Sequence, residues 1–195
     1  MASTPGSSAP RPQPAAPSGQ DAEPPPRVVG IDPGTRIVGW GVLEKRGRLF
    51  VPIAAGAIKT DGLTDIPDRL ERIYDELTGI LQKYKPQVAG IETTFFDMTT
   101  PNAKSVIAMG QGRGIALLAC KKAGAMIREY SPATIKQTVT GSGRADKEQV
   151  REMVMRLLGL KQKPKPYDVS DALAIALTAA RQVRFTKRIM ERVRR

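Results

Sequence analysis

The sequence predicts an α/β domain: a mixed five-stranded sheet, partly parallel, flanked by helices. Three observations predict it. Hydrophobic runs come in the order three strands, helix, strand, helix, strand, helices. Their periodicity alternates between short Val/Ile-rich runs and long stretches with apolar residues three and four apart. About 170 residues follow a proline-rich start, enough for one core.

The elements follow in order. "VVGI" (28–31) reads as strand one, "RIVGWGVLE" (36–44) as strand two and "RLFVPIAAGAIKT" (48–60) as strand three, irregular near Pro52. "KRG" between the last two is hairpin material, so the domain opens with an antiparallel meander. "DIPDRLERIYDELTGILQKY" (65–84) places Ile66, Leu70, Ile73, Leu77, Ile80 and Leu81 on one helical face, with Pro67 suited to the first turn. "QVAGIE" (87–92) is a fourth strand. "NAKSVIAMGQGRGIALLACKKAG" (102–124) is a helix rich in Gly and Ala, and "AMIREY" (125–130) a fifth strand. "SPATIKQTV" opens a short helix capped by Ser131, and "DKEQVREMVMRLLGL" a further helix capped by Asp146. After a basic linker, "KQKPKP", the segment "YDVSDALAIALTAARQV" (167–183) is the last core helix.

Three segments divide the chain. Residues 1–26 are Pro, Ala, Ser and Gly without an aliphatic run; they bury too little apolar surface to offset ordering, and a disordered tail is expected. Residues 27–181 form the folded domain. Residues 182–195 are a basic extension, "RQVRFTKRIMERVRR" beginning one residue earlier, suited to weak nonspecific attraction to DNA. No apolar run is long enough for a signal peptide or a membrane span. Asp21 and Glu23 fit an organellar transit peptide poorly.

Charge and composition narrow the chemistry. The chain has 31 Lys+Arg against 19 Asp+Glu, net +12, and the tail contributes almost none of the excess. A polyanionic partner, most simply nucleic acid, fits that balance. Histidine is absent, which excludes Ser-His-Asp triads, Cys-His pairs and His-ligated zinc. The single Cys120 sits among aliphatic residues and reads as a core thiol in a reducing compartment.

Four carboxylates stand outside the charged helical faces. Asp32 ends strand one before "PGT", where an ordinary turn-forming role would also explain it. Glu92 ends strand four. Asp168 and Asp171 open an otherwise apolar helix, three residues apart and so on one side. Asp168 alone would be an ordinary N-cap, and Asp171 alone a first-turn acid favoured by the helix dipole. Two acids on a buried helix are costly unless a cation compensates. If strands one and four are neighbours, all four acids reach one sheet edge, where ligands of open α/β sheets lie. An oxygen-only site suits Mg²⁺ or Mn²⁺, and on a basic protein it suits two-metal phosphodiester hydrolysis.

Four stretches, "GIDPGTRIVGWGV", "IETTFFDMTTPNAKSVIAMGQGRGIAL", "IKQTVTGSGRADKEQV" and "DVSDALAIALT", in this order resemble the RuvC family of Holliday junction resolvases across roughly residues 27–180. The resemblance implies an RNase H-like fold, a homodimer and two coordinated nicks in strands of like polarity at a four-way DNA junction, during recombination and repair. It implies two Mg²⁺ per site, with Mn²⁺ a substitute, held by an acidic tetrad that falls on Asp32, Glu92, Asp168 and Asp171. The family's junction-contacting aromatic falls on Phe95, with Phe96 beside it, in loop-like sequence where an exposed ring can stack on an unpaired base. Basic DNA contacts fall on Arg113, Lys136 and Lys147, and Arg144 in the "GSGRA" break joins them. A branch-migration helicase complex and a bacterial cytoplasm are further implications, with organellar targeting by the tail the weaker alternative. The chain departs from many relatives in having Ala179 where they carry His, so no imidazole contributes. The Gly/Ala-rich face of "AMGQGRGIALLA" suits close approach, either of a second copy or of the sheet.

Rival readings keep the same residues. An RNase H-fold nuclease acting on other branched DNA or RNA would use the same acids. A non-catalytic junction-binding protein would have no need of them. An actin-like ATPase, suggested by "DPGT", needs a duplicated domain that this length does not hold.

Overall fold

The computed structural model describes residues 24–93, 103–185 and 189. Phe95, Phe96 and nearly all of the proline-rich tail lie outside the described residues. The elements are β1 (Arg27–Asp32), β2 (Ile37–Arg46), β3 (Leu49–Lys59), α1 (Ile66–Tyr84), β4 (Val88–Glu92), α2 (Ala103–Lys122), β5 (Met126–Tyr130), α3 (Pro132–Thr140), α4 (Lys147–Leu158) and α5 (Tyr167–Gln182). Every expected strand and helix is present, in the expected order.

The sheet runs β3-β2-β1-β4-β5. The meander pairs antiparallel, while β1–β4 and β4–β5 pair parallel. The irregularity expected near Pro52 is a register shift at Val42/Leu43, opposite Pro52 on the edge strand β3, where a residue without an N–H is tolerated.

Alternate residues of each strand serve different layers. Val29, Ile31, Val38, Val42, Ala89 and Ile91 pack against Ile73, Leu77 and Leu81 of α1 and Ala116, Ala119 and Cys120 of α2. Val28, Leu43, Val88 and Tyr130 face the other way, onto α5. That helix is buried from Ala172 to Ala180 because α3 and α4 cover its outer side with Ile135, Val139, Val150 and Val154. Burial pushes the Cys120 thiol up to about 12, as befits an inert core thiol.

Two caps form as the sequence suggested. The Ser131 hydroxyl accepts from the Thr134 amide at 3.1 Å, and Asp146 forms a capping box with Gln149. Asp168 does not cap α5: the cap position is Pro166, and Asp168 stands inside the first turn. Packing continues past Gln182, where Phe185 stacks obliquely on Phe50 with ring centroids 6.0 Å apart.

Candidate active site

A row of glycines builds the site. On β1, Gly30 and Asp32 share the face that meets α5; on β4, Gly90 and Glu92 do the same. Strand β2 sets Gly41 beside Gly30 and Gly39 beside Asp32. A methyl on Gly30 would lie 2.0 Å from the carbonyl oxygen of Ala172, and one on Gly39 would lie 1.9 Å from that of Asp168. At Gly41 it would lie 2.6 Å from Leu173 Cδ2. Helix α5 therefore rests on bare backbone. Its start lies over the Asp32–Gly39 pair and its next turns lie over Gly30, so it runs against β1 and delivers its first turn to the strand end. Asp168 and Asp171 thus stand on the same side of the sheet as Asp32 and Glu92.

Asp32, Glu92 and Asp171 line a cleft of about 300 Å³ together with Pro132, Ile135, Lys136, Lys147, Val150 and Ala174. Asp168 lines a neighbouring groove. Burial and the neighbouring acids Asp171, Glu92 and Asp168 push the Asp32 carboxyl up to about 8, against a partial opposing pull from Lys147. Burial and Asp171 raise Glu92, and burial and Asp168 raise Asp171. Lys147 and Lys136 pull both back down. Groups arranged to raise one another in this way mark functional sites more often than structural ones.

The other expected site residues divide. Lys136 on α3 and Lys147 at the start of α4 join the acids in the cleft. Arg113 does not. It lies on α2, across the sheet, and its guanidinium pairs with Glu129 of β5. Glu129 sits beside Ile91 in the parallel register, on the face away from α5. Arg144 is exposed in the turn before α4 and does not line the cleft. Phe95 and Phe96 lie outside the described residues. Sequence reasoning missed the glycine row, although Gly on alternate strand positions in "VGID", "GWG" and "AGIE" is its signal. It also missed Thr60, a buried hydroxyl that donates to the carbonyl of Thr35 at 2.8 Å and so pins the turn after Asp32.

The donor set is all oxygen, half-buried and mutually repelling, which fits a hard divalent cation. The side chains stand spread: among the described residues no three Asp, Glu, Cys or His groups are drawn together closely enough to hold one ion. The fit is one of chemistry and position.

Acids at neighbouring strand ends and on one crossing helix, in a sheet of this order, define an RNase H-like nuclease domain. The family model described as Crossover junction endodeoxyribonuclease RuvC matches residues 28–179. The chain belongs to that family. It is 42% identical to the crossover junction endodeoxyribonuclease RuvC of Desulfitobacterium hafniense over 83% of this chain and 96% of the relative. It is 46% identical to that of Caldanaerobacter subterraneus subsp. tengcongensis over 77% of this chain and 90% of the relative. Among solved structures, Thermus thermophilus RuvC in complex with Holliday junction substrate superposes with a TM-score of 0.72 at 34% identity, covering 79% of this chain and 92% of that one. The yeast mitochondrial Holliday junction resolvase Ydc2, at 13% identity and a TM-score of 0.57, shares the fold.

Proposed function

We propose that this protein is an endodeoxyribonuclease that resolves four-way DNA junctions by paired nicks, with Asp32, Glu92, Asp168 and Asp171 holding two Mg²⁺ ions. The observation that carries the reading is the convergence of acids from three separate elements on a cleft that also presents Lys136 and Lys147. Divalent cations bound there supply Lewis-acid stabilisation of a phosphodiester and an activated water. The chain's own groups do the rest. The acids fix the ions, and the apolar walls Ile135, Val150 and Ala174 limit bulk water. Lys136 and Lys147 attract the strand's phosphates and keep the acids ionisable.

Paired nicking calls for a homodimer. Helix α2 leaves Gly114 and Leu118 uncovered, the leucine at 46% exposure. A second copy packed there would present two clefts to one junction. Among the described residues no helix is long and apolar enough to cross a membrane.

The deciding experiment compares cutting of a synthetic four-way junction, a flap and an RNA–DNA hybrid in Mg²⁺ and in Mn²⁺. Preferential, symmetric nicking of the junction is expected. Equal cutting of all three substrates sinks the resolvase reading in favour of a general RNase H-fold nuclease. Binding without cutting in either metal favours a junction-binding protein.

A further inference from the structure

The acid cleft has a second neighbour. A groove of about 850 Å³ opens beside Asp168, floored by Ile37, Ile66, Ile107, Ala108 and Met109 and edged by Arg36 and Arg69. It is within the size range of ligand sites. Among the described residues neither Arg36 nor Arg69 forms an ion pair, although Asp65 and Asp68 flank Arg69 in sequence, and Arg72 pairs instead with Glu76.

Both arginines stand on held backbone. The Arg36 carbonyl accepts from the Thr60 amide at 3.0 Å and is also within 3.3 Å of the Thr60 hydroxyl. The turn is clamped from the other side by α2, where a methyl on Gly112 would lie 2.6 Å from the Gly34 carbonyl oxygen. Arg69 Nε donates to the Leu63 carbonyl at 2.8 Å, leaving the terminal nitrogens of its fork to aim elsewhere. Two cationic forks on rigid supports over an apolar floor suit one occupant: a nucleotide whose base lies on the floor and whose phosphates meet the arginines.

Asp168 connects this groove to the acids, and the acids connect to the cleft of Lys136 and Lys147. A DNA strand crossing the acids therefore meets cations on both sides. We propose that Arg36 and Arg69 form a positioning site for the unpaired nucleotide next to the scissile phosphate, on the side opposite Lys136 and Lys147. The site fixes which phosphodiester faces the acids. This rests on the junction-cutting reading.

The test uses the full chain and a labelled synthetic four-way DNA junction. Binding is measured in EDTA across a salt series, and cut positions are mapped in Mg²⁺. Arg36→Gln is the principal variant, because its side chain is exposed and its loss leaves the fold's hydrogen bonds in place. The magnitude of the slope of log affinity against log salt should fall by roughly 0.7–0.9 for one lost phosphate contact. Cleavage should spread to neighbouring phosphodiesters, and Arg36→Lys should restore the slope. Arg69→Gln should act the same way, and the double variant additively. A wild-type slope with a wild-type cut position in Arg36→Gln overturns the proposal, whatever Arg69→Gln does. Failure of the wild-type protein to cut junctions would instead overturn the function it rests on; an Arg36-dependent salt slope would still support the groove as a nucleic-acid site.

Discussion

The two faces of the sheet are built from alternate residues of the same strands, yet they pack by different rules. Toward α1 and α2 the central strands present Val29, Ile31, Ala89 and Ile91, which interlock with leucine and isoleucine side chains. Toward α5 they present Gly30, Gly39, Gly41 and Gly90; at Gly30 and Gly39 the helix backbone lies directly on the strand backbone, and at Gly41 and Gly90 side chains of α5 fill the space. The first arrangement maximises buried aliphatic area. The second gives up side-chain burial for closeness, and closeness is what carries Asp168 and Asp171 to Asp32 and Glu92. Both faces bury apolar side chains, and the glycine face in addition gathers the four acids on one side of the sheet. That difference is sharp enough to be broken one residue at a time.

The largest effect belongs to the acid at the end of β1. Asp32→Asn should lower junction cleavage by about 10³-fold or more while junction affinity in EDTA stays within a few-fold of wild type. A variant that cuts at the wild-type rate would show that the α5 face does no chemistry.

Next come the glycines. Gly30→Ala adds only one carbon, but that carbon lies 2.0 Å from the Ala172 carbonyl oxygen, which cannot swing aside as a side chain can. We expect a loss of about 3 kcal/mol in urea unfolding, at the upper end for overpacking. Cleavage should fall with it, since α5 must rise off the sheet. On the other face, Ile31→Val should cost about 1 kcal/mol and leave cleavage unchanged. Equal costs and equal activities for the two variants would erase the distinction between the faces.

A smaller effect separates function from stability at Asp32 itself. Burial and the neighbouring acids push its folded carboxyl up to about 8, from an ordinary value near 3.8. Between those values the folded protein holds a proton that the unfolded chain has released, so raising the pH through this window lowers stability; above about 8 the loss is complete. Asp32→Asn removes the liability. In EDTA its melting temperature should exceed that of wild type by roughly 5 °C at pH 8, with the gap closing toward pH 4. Mg²⁺ should raise the wild-type melting temperature more than the variant's. A gap that does not change with pH would refute burial and acid–acid repulsion as its cause.

The strands, helices, two of the caps and the gathering of the four acids on one side of the sheet were legible in the sequence, because each has a local signature: strand-length Val/Ile runs, 3.6-residue spacing, Ser and Asp at helix starts, acids where apolar residues belong. What escaped is relational. Arg113 looks like a free cation in "GQGRG", and only the fold brings Glu129 across to pair with it. Asp168 looks like a cap because nothing in the local sequence shows the helix starting at Pro166. The glycines look like weak strand positions until α5 lies on them. Arg36 reads only as the opening residue of strand two until the groove beside Asp168 is assembled from the β1–β2 turn, α1 and α2.

The smallest effect lies in the lysines, and it tests whether the two cations of the cleft are interchangeable. Lys147 lowers the pKa of Asp32, Glu92 and Asp171, whereas Lys136 lowers only Glu92 and Asp171. Removing a cation raises the pKa of the acids it faces, so the acidic limb of the cleavage–pH profile moves to higher pH. Lys147→Ala should shift that limb upward more than Lys136→Ala, because of the two lysines it alone faces Asp32, whose carboxyl is pushed furthest up by burial. Each should lower activity about ten-fold at neutral pH, and for Lys147→Ala part of the loss should return at alkaline pH. If both variants lose activity by the same factor at every pH, the lysines serve only as phosphate contacts, and the ionisation of the acids is governed by burial and by one another.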